Sequence, residues 1–265
     1  MSDKLSGIPS IYYLNLDSKL DRRRYMETQF QNWNLNNVTR FSGSKYLIEN
    51  YDDWKNVLHF PDRIPERHKL AASITLSTLE TIKYWLETTN EKYLILMEDD
   101  YDLSLIEYWH FDWEYLMNNI PYDWDCIQLG YESTNYIRFY LCPKPQDTFW
   151  GPVLINRHFA QKLINLHYFK EKYMLIRKYG QHPFNTGYRV VSLDSFIPFL
   201  GKTYQLPLIT QNPYLDEIPK KHHFLCRDIY YNWWQNDRDK YSLKDFFSYG
   251  KPNDCEMTVK VIFDD

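Results

Sequence analysis

Three consecutive acids, Glu98, Asp99 and Asp100, follow directly on the apolar run Tyr93-Leu94-Ile95-Leu96-Met97. Carboxylates crowded at the end of a buried strand repel one another unless a positive charge sits among them. Hard divalent cations such as Mg2+ or Mn2+ take oxygen ligands of this kind and usually share them with substrate phosphates. The chemical reading is an acidic metal and nucleotide site; the plainer one is an acidic turn that starts a loop. A second polar set closes the apolar run that begins at Ile11: Asn15, Leu16 and Asp17, then Arg22, Arg23 and Arg24. The amide and the carboxylate suit a base or ribose and the arginines a diphosphate, while a solvated helix face is the competing reading of the arginines. Lys69 and Ser73 stand near the start of a helical pattern, where free backbone N–H groups favour an anion, although Ser73 competes as a cap.

The elements that must position these groups are legible in the periodicity. Residues 11–16 form a strand-type run and residues 20–30 a helix with Asp21 as its cap and Tyr25, Met26 and Phe30 inward, which together make the first half of a βα unit. Residues 70–88 carry Ala72, Leu76, Leu79, Ile82 and Leu86 at spacings of three and four, an amphipathic helix. The run before the acids, apolar throughout, fits a strand buried on both faces, and such sheets bind ligands at their strands' carboxyl ends. Further strands are expected at 124–130, 149–156 and 206–209, with helices at 108–120 and 158–166. The fold class is α/β. One domain over residues 1–215 with a C-terminal extension over 216–265 packing on it is the simplest parse.

Composition narrows the partners. A formal net charge of −4 excludes a mainly electrostatic nucleic-acid binder. No signal-type segment and no long uncharged apolar run occur, so a soluble cytoplasmic protein without a transmembrane segment is expected. Four scattered cysteines without a CxxC pair predict reduced thiols rather than a disulfide or zinc scaffold. The aromatic load of 24 Tyr, 15 Phe and 9 Trp suits sugar stacking and core packing alike; Tyr131 and Trp150 are candidates for the former.

The order of the segments resembles glycosyltransferase family 25, the lipooligosaccharide and collagen galactosyltransferases. Leu14-Asn15-Leu16-Asp17 with Asp21-Arg22-Arg23, Leu76-Ser77, Leu96-Met97-Glu98-Asp99-Asp100, Val153-Leu154-Ile155-Asn156-Arg157, Ser192-Leu193-Asp194 and Pro207-Leu208-Ile209-Thr210-Gln211 carry the likeness across residues 10–212. Thr78 stands in place of the family's histidine, Ser73 in place of a glycine, and Gly151-Pro152 departs from a glycine-threonine-histidine. The resemblance implies a GT-A fold, a Rossmann-like mixed sheet flanked by helices, in an inverting transferase that moves a hexose from a UDP-sugar to an acceptor hydroxyl. It implies a divalent metal, Mn2+ or Mg2+, with Asp100 as direct ligand and Glu98 acting on the ribose or through a metal-bound water. A C-terminal histidine completes the metal shell in such enzymes, which makes His223 or its neighbour His222 a candidate; a basic surface patch is the other reading of the pair. Asp194, a lone carboxylate in an apolar run, matches the family's aspartate and is the candidate general base, with a helix N-cap as its alternative. Lys69 or Arg22 would offset charge on the departing diphosphate. The sequence leaves the acceptor open among a glycan, a lipid-linked sugar, a protein and a small molecule. Two other classes remain open: a glycoside hydrolase built on Glu98 and Asp194, and a non-catalytic carbohydrate-binding protein.

Overall fold

The computed structural model describes residues 4–144, 151–177, 189–190, 197, 200–216, 220–248 and 256–259. Seven strands form its main sheet: β1 (Ile11–Asn15), β2 (Val38–Ser42), β3 (Tyr93–Glu98), β5 (Cys126–Gln128), β7 (Cys142–Pro143), β8 (Val153–Asn156) and β13 (Thr203–Gln205). Their order is β2-β1-β3-β8-β5-β13-β7. Strand β1 runs parallel to β2 and β3, β8 runs antiparallel to β3 and β5, and β13 is parallel to β5. Shorter pairs decorate it: β4 (Tyr101–Asp102) with β14 (Thr210–Gln211), β6 (Tyr136–Arg138) with β15 (Glu256–Thr258), β9 (Tyr168–Phe169) with β10 (Lys172–Tyr173), and β11 (Ile176–Arg177) with β12 (Arg189–Val190).

Alternation along each strand explains why helices must cover both faces. Ile11, Tyr13, Ile95, Met97, Ile127 and Leu154 face one apolar layer, and Tyr12, Leu94, Leu96, Cys126, Val153 and Ile155 face the other. The first layer packs on α1 (Leu20–Asn32), α4 (Trp113–Asn119) and α6 (Lys221–Asn232), with Tyr230, Trp233 and Trp234 from the C-terminal segment inside the same core. The second packs on α3 (Lys69–Thr88) and α5 (Arg157–His167), which follow a short α2 (Trp54–Val57). A mixed sheet with helices on both sides is an α/β architecture compatible with a Rossmann-like fold.

The expected helix at 70–88 forms, and its buried hydroxyls are satisfied inside it. Thr75, Ser77, Thr78 and Thr81 each donate to the carbonyl four residues back, at 2.7 to 3.1 Å. Asp21 does not cap α1: Lys19 holds the cap position, without a side-chain bond, and Asp21 lies in the first turn. The helix expected over 108–120 is shorter, because Asp112 caps α4 by accepting from Tyr115 N at 2.8 Å. Residues 206–209 are not a strand. Pro207 has no N–H to give, and Leu208 N and Ile209 N both turn to the Leu129 carbonyl at 2.9 Å. Among the described residues no helix is long and apolar enough to cross a membrane, and Cys126, Cys142 and Cys226 are buried free thiols.

Candidate functional site

From β1 the chain crosses to β2 on one side by way of α1 and reaches β3 on the other after α3, and those two helices lie on opposite faces of the sheet. Such a reversal leaves a crevice at the strands' carboxyl ends, the usual place for a ligand in an α/β sheet. A cleft of about 390 Å3 opens there. It is lined by Asn15 and Leu16 from the end of β1, Lys19 and Arg22 at the start of α1, Ser73 and Ser77 from α3, and Glu98 and Asp99 from the end of β3. Residues 83 positions apart in the chain thus form one wall. The sequence reading did not single out Lys19, although it precedes the arginines on the same turn.

Asn15 is 2% exposed and locks the two strand ends together. Its amide donates to Asp99 Oδ2 at 2.7 Å and to the Lys19 carbonyl at 3.1 Å, while its Oδ1 accepts from Arg40 at 3.0 Å. Asp17 turns away from the cleft. It accepts from Arg40 at 2.7 Å and Ser42 at 2.8 Å, and these bonds, that of Arg40 foremost, hold its carboxyl below the usual range.

Arg22 lies among the acids. Its guanidinium donates to Asp99 Oδ1 at 3.1 Å and to the Leu215 carbonyl at 2.8 Å, and it stands 3.8 Å from Asp100 Oδ2 and 3.6 Å from Asp216 Oδ1. The positive charge that three clustered carboxylates require is therefore a side chain of the protein. Asp100 accepts from the Gln211 amide at 2.8 Å. Burial pushes its pKa up to about 6; Gln211 and Arg22 oppose that, while Asp99 and Asp216 add to it. Asp102, two residues on, binds Ser104 and accepts from Tyr231 at 2.7 Å.

Asp216 extends the network to the C-terminal helix. Its Oδ2 lies 2.9 Å from His223 Nδ1, and His223 Nε2 lies 3.3 Å from Glu132 Oε2. His222 Nε2 is 3.7 Å from the same oxygen. Burial, His223 and Lys220 lower the pKa of His222, favouring the neutral ring. Asp216 and Glu132 were not expected. Each had one cue: an acid just ahead of the two histidines, and an acid two residues past the strand-ending Gly130.

The expected positions divide accordingly. Asn15, Leu16, Arg22, Ser73, Glu98 and Asp99 line one cleft. Asp100 and His223 belong to the network behind it. Lys69 does not reach it: its ammonium pairs with Glu66 at 2.6 Å and stands 3.9 Å over the Tyr51 ring. Ser73 is no cap, since its hydroxyl donates to the Tyr46 carbonyl within the core. Tyr131 is core, its hydroxyl bonded to the backbone of Arg138. Asp194 and Trp150 lie outside the described residues.

The cation expected on Asp100 and His223 together does not fit this arrangement. Asp100 Oδ2 accepts from Gln211 and faces the Arg22 guanidinium, and Asp216 contacts His223 on one oxygen and Arg22 on the other. Among the described residues one group brings three His, Cys or carboxylate donor atoms within 4.8 Å of one another, and it is Glu132, His222 and His223.

No protein-family profile and no curated protein sequence match the chain. A solved structure, the crystal structure of A197 from STIV, aligns with 77% of this chain and 84% of its own at 11% identity and a TM-score of 0.38.

Proposed function

We propose that the protein is a GT-A-type glycosyltransferase that moves a hexose from a UDP-sugar to an acceptor hydroxyl. The observation that carries this reading is the cleft between β1 and β3. Its walls are contributed by three of the six segments whose sequences resemble the family 25 transferases: the end of β1 with Arg22, the middle of α3, and Glu98-Asp99. A nucleoside fits the part under Leu14, Leu16, Leu47 and Ile74, where apolar side chains meet the Ser73 and Ser77 hydroxyls. Glu98, at the carboxyl end of β3, is placed to accept from a ribose hydroxyl. Lys19 and Arg22 bring positive charge to the same wall for a diphosphate.

In an inverting displacement the acceptor oxygen attacks the anomeric carbon, a carboxylate takes its proton, and the bond to the diphosphate breaks. Asp194 is the residue that the resemblance assigns to the proton, and Arg22 and Lys19, which line the cleft, are the basic residues nearest the departing charge.

Leu70 tests the cleft directly, because it lines the opening and is 61% exposed, so a charge there leaves the core alone. UDP and UDP-sugars should raise the melting temperature of the parent, and Leu70→Glu should weaken their binding about tenfold through repulsion of the diphosphate. Equal binding by both proteins would remove the nucleotide from this cleft, and hydrolysis of a glycoside without nucleotide would replace this reading with the hydrolase one.

A further inference from the structure

We infer that Glu132, His222 and His223 form a binding site for one borderline divalent transition-metal ion, of which Zn2+ is the type. The site is separate from the nucleotide cleft and stands whether or not the chain uses a sugar nucleotide. Its ligand atoms are the Glu132 Oε2 and the two histidine Nε2 atoms.

Asp216 sets the tautomer of His223. An ionised carboxylate only accepts hydrogen bonds, so at 2.9 Å its Oδ2 takes the proton of His223 Nδ1. In the neutral ring that leaves Nε2 as a bare lone pair, and it faces Glu132 Oε2 at 3.3 Å. Two acceptors do not approach so closely unless a proton or a metal ion lies between them. A proton is the alternative, making His223 an imidazolium held between two carboxylates.

Geometry and the second histidine favour the metal. Donors about 2.0–2.2 Å from a tetrahedral Zn2+ lie roughly 3.3–3.5 Å apart. Glu132 Oε2 is 3.3 Å from one imidazole nitrogen and 3.7 Å from the other. The two rings stand at 89° to each other with centroids 4.3 Å apart, so both nitrogens turn to the same oxygen without the rings stacking. A metal ion would draw on both imidazole nitrogens at once, and all three donor atoms lie within 4.8 Å of one another.

The donor set chooses the ion. Two imidazoles and one carboxylate suit Zn2+, Co2+ or Ni2+ and disfavour Mg2+ and Ca2+, which seek oxygen. Asp216 behind His223 is the carboxylate that fixes a ligating ring's tautomer and raises its basicity. The side chains of Glu132, His222 and His223 remain 13–19% exposed, so water can fill the fourth position. Through Asp216, which also contacts Arg22, the ion would be linked to the acids beside the cleft.

The test uses the full chain, stripped with chelator and titrated with Zn2+, Co2+ and Mg2+ by calorimetry, with the visible spectrum of the Co2+ form recorded. One equivalent of Zn2+ and of Co2+ should bind, with the intense absorption of tetrahedral Co2+, and Mg2+ should not compete. Glu132→Gln, which keeps the size of the side chain, and His222→Ala should each abolish stoichiometric binding, and Asp216→Asn should weaken it about tenfold. Asp100→Asn should leave both stoichiometry and affinity as they are. Absence of Zn2+ binding to the parent overturns the proposal, as does binding that survives both ligand substitutions. Loss of the ion in Asp100→Asn would move the metal to the acidic motif. A His223 ring protonated on both nitrogens at pH 7 by NMR, and unmoved by Zn2+, would show that the proton fills the gap.

Discussion

The two halves of the main sheet are held together by different physics. On the β2-β1-β3 side the strand ends are tied by charge: Asn15 to Asp99, Asp99 to Arg22, Arg22 to Asp216. On the β8-β5-β13 side the strand ends are tied by backbones in direct contact. A Cβ on Gly130 would meet the Ile209 carbonyl oxygen at 1.9 Å, and one on Gly151 would meet the Gly130 oxygen at 1.8 Å. Three chain segments cross there with no room for a side chain. Polar ties leave an open cleft with adjustable charge, whereas backbone contact leaves no space for a ligand. The difference puts the open cleft on the first side and close-packed backbone on the second.

The largest effect should follow from disturbing the rigid side. In Gly151→Ala the methyl group collides with backbone, which cannot swing aside as a flexible side chain does. Overpacking of this kind costs about 3 kcal/mol or more. Chemical denaturation should show that loss with an unchanged slope, and at low temperature the surviving folded protein should bind UDP as the parent does. A loss below 1 kcal/mol would mean that the segments separate easily and that the two sides do not differ as described.

These two sides were unequally legible in the sequence. Apolar runs disclosed β1, β3, β5 and β8, because a strand buried on both faces leaves a continuous hydrophobic signal, and the three-four spacing disclosed α3. Pairings between distant segments were not disclosed. Gly130 and Gly151 fall inside the runs expected as strands at 124–130 and 149–156, and nothing in those runs shows that Ile209 lies against Gly130. The motif at residues 98–100 was visible as an acidic cluster, and a positive charge was rightly required among the acids. That the charge is Arg22 depends on α1 folding back over the end of β3, a relation that periodicity does not encode. Asp216 and Glu132 were passed over because single acids in a tail or after a strand carry no pattern of their own.

Removing the cation from the adjustable side should give the next largest change. Arg22→Met keeps most of the apolar stem and leaves Asp99, Asp100 and Asp216 without their shared partner. The cost should be about 2–3 kcal/mol at pH 7, below that of a fully buried pair because the Arg22 side chain is 17% exposed. The deficit should shrink as the pH falls and Asp100 takes up a proton. A deficit that is flat from pH 7 to pH 5 would show that Arg22 acts through packing alone.

Asp100→Asn acts on the same network with the opposite sign. The folded-state pKa of Asp100 is raised from 3.8 to about 6, so between those values the folded protein binds more protons than the unfolded chain. Stability from this group is therefore present below the lower value and is lost as the pH rises through the upper one. The asparagine still accepts from Gln211 and carries no buried charge, so the variant should be more stable than the parent by about 1–2 kcal/mol at pH 7 to 8. The gain should vanish below pH 4. Thermal melts across that range decide it, and a variant less stable at pH 8 would show that attraction to Arg22 outweighs burial.

Lys69→Ala should be the smallest of these changes, and it separates the observed arrangement from the one expected of the sequence. If the Lys69 ammonium offset a diphosphate, its removal would weaken UDP-sugar binding tenfold or more. In the structure it instead stands over Tyr51 and pairs with Glu66, whose side chain is 79% exposed. An exposed ion pair contributes a few tenths of a kcal/mol and a cation over a ring about 0.5–1 kcal/mol. The substitution should therefore cost less than about 1 kcal/mol of stability and leave the dissociation constant for UDP-sugar unchanged. Run beside Arg22→Met, it asks which basic residue belongs to the cleft. Arg22 is held there by Asp99 at the end of β3, and Lys69 is held at the start of α3 by an acid three residues before it.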